Sequence, residues 1–149
     1  MLFLVGLGLN GAESLTLEGL HALKNCETVY LENYTSLVDN VKAIEREIGK
    51  KIKFANRELI ENKSEEIIKL AKKEDVGIIV IGDVLSATTH VSLILDAEKE
   101  RVKVKVFHNA SIINSVSNTG LSLYKFGKIP SMSKDVESDI PYNVIKENK

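Results

Sequence analysis

The sequence predicts an α/β domain of about five mostly parallel strands with flanking helices, and three observations predict it. Short apolar runs alternate with amphipathic stretches, so the hydrophobic period keeps switching between that of a strand and that of a helix, as in successive βα units. Capping and stop residues punctuate the helical stretches. The chain has 149 residues, 44% of them hydrophobic, which is enough apolar material for one core of ordinary size.

Residues 2–6 form a continuous apolar run and read as a strand near the sheet centre. Thr16 is placed to cap a helix carrying Leu17, Leu20 and Leu23. A second strand follows at 28–31, then a helix marked by Val38, Val41, Ile44 and Ile48 and stopped by Gly49. Residues 51–54 read as the third strand, and Asn62 with Glu65 has capping-box spacing ahead of Ile67, Ile68 and Ala71. The run 76–81 reads as a strand buried on both faces. Val91, Leu93, Ile94 and Ala97 form the stripe of a fourth helix. In 102–107, Val102, Val104 and Val106 alternate with Lys103 and Lys105, as on an edge strand. Glu45, Arg46, Glu65 and Lys69 read as solvated helix faces.

Composition excludes several classes. No apolar run approaches the length of a membrane span, and Met1 leads directly into the first strand without a basic, cleavable leader, so the chain is expected to be cytoplasmic. Cys26 is the only cysteine, which rules out an internal disulfide and reads as a small buried hydrophobe. Twenty Lys+Arg against 21 Asp+Glu leave a net charge of −1, so no nucleic-acid groove is expected. His21, His90 and His108 lack metal-ligand spacing, and no metal site is expected. Residues 1–128 are expected to form the cofactor-site domain. Pro130, serines and mixed charges make 129–139 a linker, and 142–148 read as a short helix that begins a second domain.

Parallel sheets bind ligands beyond the carboxyl ends of their strands. That rule selects three loops: Gly6-Leu7-Gly8-Leu9-Asn10-Gly11, Gly82-Asp83-Val84-Leu85-Ser86, and His108-Asn109-Ala110-Ser111-Ile112. The first satisfies the G-x-G-x-x-G pattern, and Glu32 stands at the interval of a ribose-binding acid, which supports a nicotinamide-dependent oxidoreductase. Against it, the plausible caps Ser14 and Thr16 come several residues after Gly11, and Leu7 and Leu9 make the loop apolar. On the motif alone both readings stay open. Asp83 follows a fully apolar strand and suits either a polar ligand contact or a cap for its own turn, while Thr88, Thr89 and His90 suit helix caps.

The combined pattern resembles the diphthine synthase family, within the tetrapyrrole-methylase-like superfamily. The resemblance rests on Leu4-Val5-Gly6-Leu7-Gly8-Leu9, Leu15-Thr16 with Gly19-Leu20, Tyr34-Thr35-Ser36, Gly82-Asp83 with Ala87-Thr88-Thr89-His90, Ser111-Ile112, and Thr119-Gly120-Leu121 before Tyr124-Lys125-Phe126-Gly127-Lys128. Their order across the chain favours a methyltransferase over the nicotinamide reading. The resemblance implies a tetrapyrrole-methylase-like amino-terminal domain, S-adenosylmethionine as donor with S-adenosylhomocysteine as product, and the modified histidine of translation elongation factor 2 as acceptor. It further implies a homodimer, and cofactor contacts from Leu9, Asp83, Ser86, Ser111 and Ile112. No side chain is expected to act as a catalytic nucleophile or an acid/base dyad. The family's Gly-Asp-Pro is Gly82-Asp83-Val84 here, which implies a looser loop. The family's second domain is not evident before Lys149, which implies a truncated chain whose activity alone stays open, or a noncatalytic interaction domain.

Overall fold

The five apolar runs become five parallel strands: β1 (Leu2–Gly6), β2 (Thr28–Glu32), β3 (Lys53–Ala55), β4 (Val76–Val80) and β5 (Val104–Phe107). They form one sheet in the order β3-β2-β4-β1-β5. The computed structural model describes residues 1–132 and 138–148. The chain divides into two units, Met1–Ile113, which holds the sheet, and Asn114–Lys149.

Helices cover both faces of the sheet: α1 (Leu17–Asn25), α2 (Val41–Ile48), α3 (Ser64–Ala71) and α4 (Val91–Lys99). Period-two alternation sends Leu2 and Leu4 of β1 and Ile78 and Val80 of β4 to one side, against Ile67, Ile68 and Ala71 of α3 and Leu93 and Ala97 of α4. Val5 and Ile79 face the other side, against Ala22 and Leu23 of α1 and Ile44 and Ile48 of α2. All five residues of β4 are buried, as its place between β2 and β1 under two helical layers requires. Each buried Ile or Leu is worth about 2 kcal/mol of transfer free energy, so the strands are held mainly by what they bury. β5 closes one edge, with Lys105 exposed and its Nζ 4.7 Å from the Phe107 ring centroid.

Local chemistry sets the helix ends. Thr16 Oγ1 accepts from Gly19 N at 3.1 Å, and Gly49 ends α2 in the left-handed region at φ 73°. Two expectations fail for geometric reasons. Leu17 and Val91 are 75% and 53% exposed. At 3.6 residues per turn a strict threefold spacing drifts, so Leu17 points roughly 120° away from Leu23, and Val91 lies more than half a turn from Leu93. The capping box at Asn62 does not form either. Residues Glu58–Asn62 make a π-helical turn in which Asn62 Nδ2 donates to Glu58 Oε2 at 2.8 Å, and α3 starts at Ser64.

After β5 comes α5 (Ile112–Ser115). The second unit contains two 3₁₀ turns, Val116–Thr119 and Leu123–Lys125, and α6 (Ile140–Glu147), with Pro141 in its first turn where no N–H donor is needed. Lys128 binds the end of α6 twice, through its Nζ to Glu147 Oε2 at 3.0 Å and its carbonyl to Asn148 Nδ2 at 3.1 Å. The linker expected at 129–139 includes residues 133–137, which lie outside the described residues.

Candidate functional site

Strands β4, β1 and β5 are neighbours, so the three selected loops leave the same edge of the sheet side by side. They are also tied together. Gly8 N donates to Gly82 O at 3.0 Å and Gly82 N to Gly8 O at 2.9 Å, a reciprocal pair joining the first loop to the second. Asn109 Nδ2 donates to Gly6 O at 2.9 Å and Ser14 O at 2.8 Å, joining the third loop to the first. Because β1 lies between β4 and β5, these ties pass over its end, and only a residue without a side chain leaves room. A Cβ on Gly6 would lie 2.7 Å from Gly82 O and 2.9 Å from Asn109 Cβ. Gly8 adds a positive φ of 75°, and a Cβ there would lie 2.6 Å from Ser14 Cβ.

Asp83 is the knot of this arrangement. Its Oδ1 accepts from Leu85 N at 2.9 Å, Ser86 N at 3.1 Å and Ser86 Oγ at 3.0 Å. Its Oδ2 accepts from His108 Nδ1 at 2.8 Å and Asn109 N at 3.0 Å. Burial of Asp83 works to raise its pKa, but donation from the Leu85 and Asn109 amides, His108 and Ser86 outweighs it and draws the value down to about 2. The group is therefore an anion at neutral pH, and an ionised carboxylate only accepts. The proton shared with His108 consequently belongs to Nδ1.

The loops bring Asp83 and Ser86 into direct contact, and Ser111 is buried beside Gly82, 3.7 Å from where a Cβ on that glycine would lie. Leu9 and Ile112 present apolar side chains to solvent, 47% and 69% exposed. Leu9 also lines an open cavity of about 350 Å³ with Leu7, Glu13, Leu37, Asp39 and Asn40. Val84 is fully buried in the core, and Thr88 Oγ1 donates to its carbonyl. The Asp83 hydrogen bonds hold the Gly82-Asp83-Val84 loop. His90 occupies the N-cap position of α4, but its side chain makes no capping bond; the ring is buried, not at the surface, and neither ring nitrogen has a hydrogen-bond partner.

The features required for a nicotinamide site are occupied otherwise. Glu32 is buried, and its carboxylate accepts from Tyr34 N at 2.6 Å, Thr35 N at 2.7 Å and the Thr35 hydroxyl. Three of the carboxylate's roughly four acceptor positions are therefore taken by its own loop. Gly11 opens a 3₁₀ turn (Gly11–Ser14) instead of a helix, and α1 begins only at Leu17. Sequence reasoning missed two members of the site. His108 and Asn109 stand in the selected third loop, yet their joint partner Asp83 is 25 and 26 residues away in sequence.

A parallel sheet whose carboxyl-edge loops are joined by glycines and a buried carboxylate defines an α/β domain of the open-sheet class, in which ligands are received at that edge. The chain belongs to the tetrapyrrole (corrin/porphyrin) methylase family, whose sequence model matches residues 1–147. It is 44% identical to the diphthine methyl ester synthase of Kluyveromyces lactis over 154 aligned residues, covering 100% of this chain and 52% of that protein. Against the diphthine methyl ester synthase of Eremothecium gossypii the identity is 46%, with the same coverage. A crystal structure of diphthine synthase superposes with a TM-score of 0.93 at 38% identity, covering 99% of this chain and 59% of that one. The chain spans about half the length of the curated relatives it matches.

Proposed function

We propose that this chain is the cofactor-site domain of a diphthine-synthase-type methyltransferase, which uses S-adenosylmethionine to methylate the modified histidine of translation elongation factor 2. The observation that carries the reading is the joining of three loops by the Gly8–Gly82 pair, Asp83 and Asn109 at the mouth of adjacent parallel strands. The surface formed there fits a nucleoside sulfonium. Gly6, Gly8 and Gly82 keep the backbone bare, Leu9 and Ile112 offer apolar contact, Ser111 supplies a hydroxyl, and the Asp83–Ser86 turn places a fixed negative charge near a cationic ligand. When bound, the cofactor supplies an activated methyl group on a good leaving group. The protein's task is then to orient the acceptor.

The rest of the reading follows from the resemblance: a cytoplasmic enzyme acting as a homodimer on a protein substrate, with residues 1–128 as the cofactor-site domain. Among the described residues, no helix is long and apolar enough to cross a membrane. Calorimetry tests the central point. S-adenosylhomocysteine should bind the purified chain and stabilise it, whereas NAD should do neither. Absence of binding at millimolar S-adenosylhomocysteine, or stabilisation by NAD alone, refutes the reading.

A further inference from the structure

We propose that His108 is a catalytic residue of this site, accepting through Nε2 the proton that an amine acceptor must lose when it is methylated. The inference rests on the methyltransferase reading above, and its geometry is that of an Asp–His dyad. Nδ1 is turned inward, 2.8 Å from Oδ2 of a carboxylate that is itself buried, and the amide of the next residue, Asn109, donates to the same oxygen. The ring is thus held through Nδ1, and the backbone beside it is fixed to the same oxygen. With the proton on Nδ1, the lone pair of a neutral imidazole is on Nε2. The His108 side chain is 66% exposed, so the edge turned away from Asp83 is open to a substrate.

Placement supports the role as strongly as orientation. His108 directly follows β5 in the same short loop as Ser111 and Ile112, and Asp83 links it across the end of β1 to the loop after β4. A base fixed to two of the three loops stands beside any ligand they hold. The other histidines are not so placed: His21 lies on the exposed face of α1, and His90 is buried.

The step balances without another reactant. The acceptor nitrogen donates its lone pair to the methyl carbon as the carbon–sulfur bond breaks, and that bond's electrons remain on sulfur, giving the neutral thioether. The methylated nitrogen carries a positive charge until its proton passes to Nε2. The resulting imidazolium is paired with the Asp83 carboxylate and then returns the proton to water.

Two measurements test the assignment. Carbethoxylation by diethyl pyrocarbonate, followed residue by residue with mass spectrometry, should modify His108 readily and leave His90 unmodified. Saturating S-adenosylhomocysteine should slow modification of His108 at least about fivefold while leaving His21 unchanged, since the base lies within hydrogen-bond reach of the transfer point. A histidine that only braces Asp83 at the surface would react at the same rate with or without the ligand, and that result overturns the proposal. In His108→Asn the side-chain amide keeps a donor for Asp83 while Nε2 is lost. Its affinity for S-adenosylhomocysteine should stay within about twofold, and methyl transfer to modified elongation factor 2 should fall by about 100-fold or more. Transfer at the wild-type rate overturns the assignment. Failure of the wild-type chain to bind S-adenosylhomocysteine is a separate outcome, one that removes the cofactor reading and the base with it.

Discussion

Replacing Asp83 with Asn tests whether one carboxylate holds the three loops together. An Asn side chain has one accepting oxygen where Asp83 has two. Its better orientation keeps that oxygen toward Leu85 N, Ser86 N and Ser86 Oγ, which points its NH₂ at two donors, Asn109 N and His108 Nδ1. Hydrogen bonds to a charged partner contribute about 1.5–3 kcal/mol each, so losing two costs roughly 3–6 kcal/mol. His108 recovers about 1 kcal/mol of this by moving its proton to Nε2 and accepting from the new amide, which leaves roughly 2–5 kcal/mol. For a chain of this length that lowers Tm by about 6–20 °C. Urea unfolding at pH 7, followed by circular dichroism, measures the loss. A cost below about 1 kcal/mol would refute the idea that Asp83 ties the loops.

Acid gives an independent check on the same group. Asp83 is drawn from 3.8 to about 2 in the fold, so its contribution is fully present above the unfolded value and lost as pH falls from about 4 toward 2. Nearly two pH units correspond to roughly 2 kcal/mol. That lies at the low end of the mutational cost, as expected if substitution also leaves Asn109 N unpaired. Asp83→Asn should lack this acid step.

Three further outcomes follow from particular residues. Gly8→Ala should cost roughly 2–4 kcal/mol, because it combines a positive φ with a Cβ 2.6 Å from Ser14 Cβ, whereas Gly49→Ala should cost about 1 kcal/mol, because its φ is also positive but nothing lies within 4 Å; equal losses in urea titrations would contradict the steric argument. Burial holds the His90 pKa below 6.5, so the wild-type chain should lose stability as pH falls below that value; His90→Leu should remove this loss and at pH 7 equal or exceed the wild type in urea, and a drop above about 1 kcal/mol would show that the ring is satisfied after all. Cys26 is buried and its thiol is pushed up to about 11, chiefly by burial, so a thiol reagent at pH 8 should label it only at the rate of unfolding, and rapid stoichiometric labelling of the native chain would contradict its packing.

The strands were readable because each is a run whose burial its own residues announce. β4 is the clearest case, with Val76, Ile78, Ile79 and Val80 leaving no polar face. The helix ends were readable for a similar reason, since Thr16 at a start and Gly49 at a stop act on backbone groups within a few residues of themselves. Phase was less legible. Leu17 and Val91 are apolar and close to the right spacing, but the sheet decides which of several overlapping stripes is buried. Asn62 does not cap α3, because a π-helical turn takes up Glu58–Asn62 and the helix starts at Ser64 with Lys63 in the cap position.

The site shows what strand order adds to residue type. Glu32 and Asp83 are both carboxylates at the carboxyl end of a buried parallel strand, and either could be a cap or a ligand contact. Glu32 leaves β2 and turns back on its own loop, taking Tyr34 N and Thr35 N. Asp83 leaves β4, whose neighbour β1 ends in residues without side chains, and its second oxygen crosses that gap to the loop after β5. The same chemical group becomes local in one place and long-range in the other. The difference lies in Gly6 and Gly8, which satisfy a dinucleotide motif in the sequence and serve in the fold as a clearance over the end of β1. Filling that clearance is therefore a stricter test of the site than removing any ligand contact. Gly6→Ala leaves Asp83, His108 and Asn109 unchanged in identity, yet it places a methyl group where Gly82 O and Asn109 Cβ already stand. It should weaken S-adenosylhomocysteine binding at least about tenfold while β1 remains paired, because the loops must part before the strand does. Unchanged affinity in that variant would mean that the ligand does not depend on the three loops being held together.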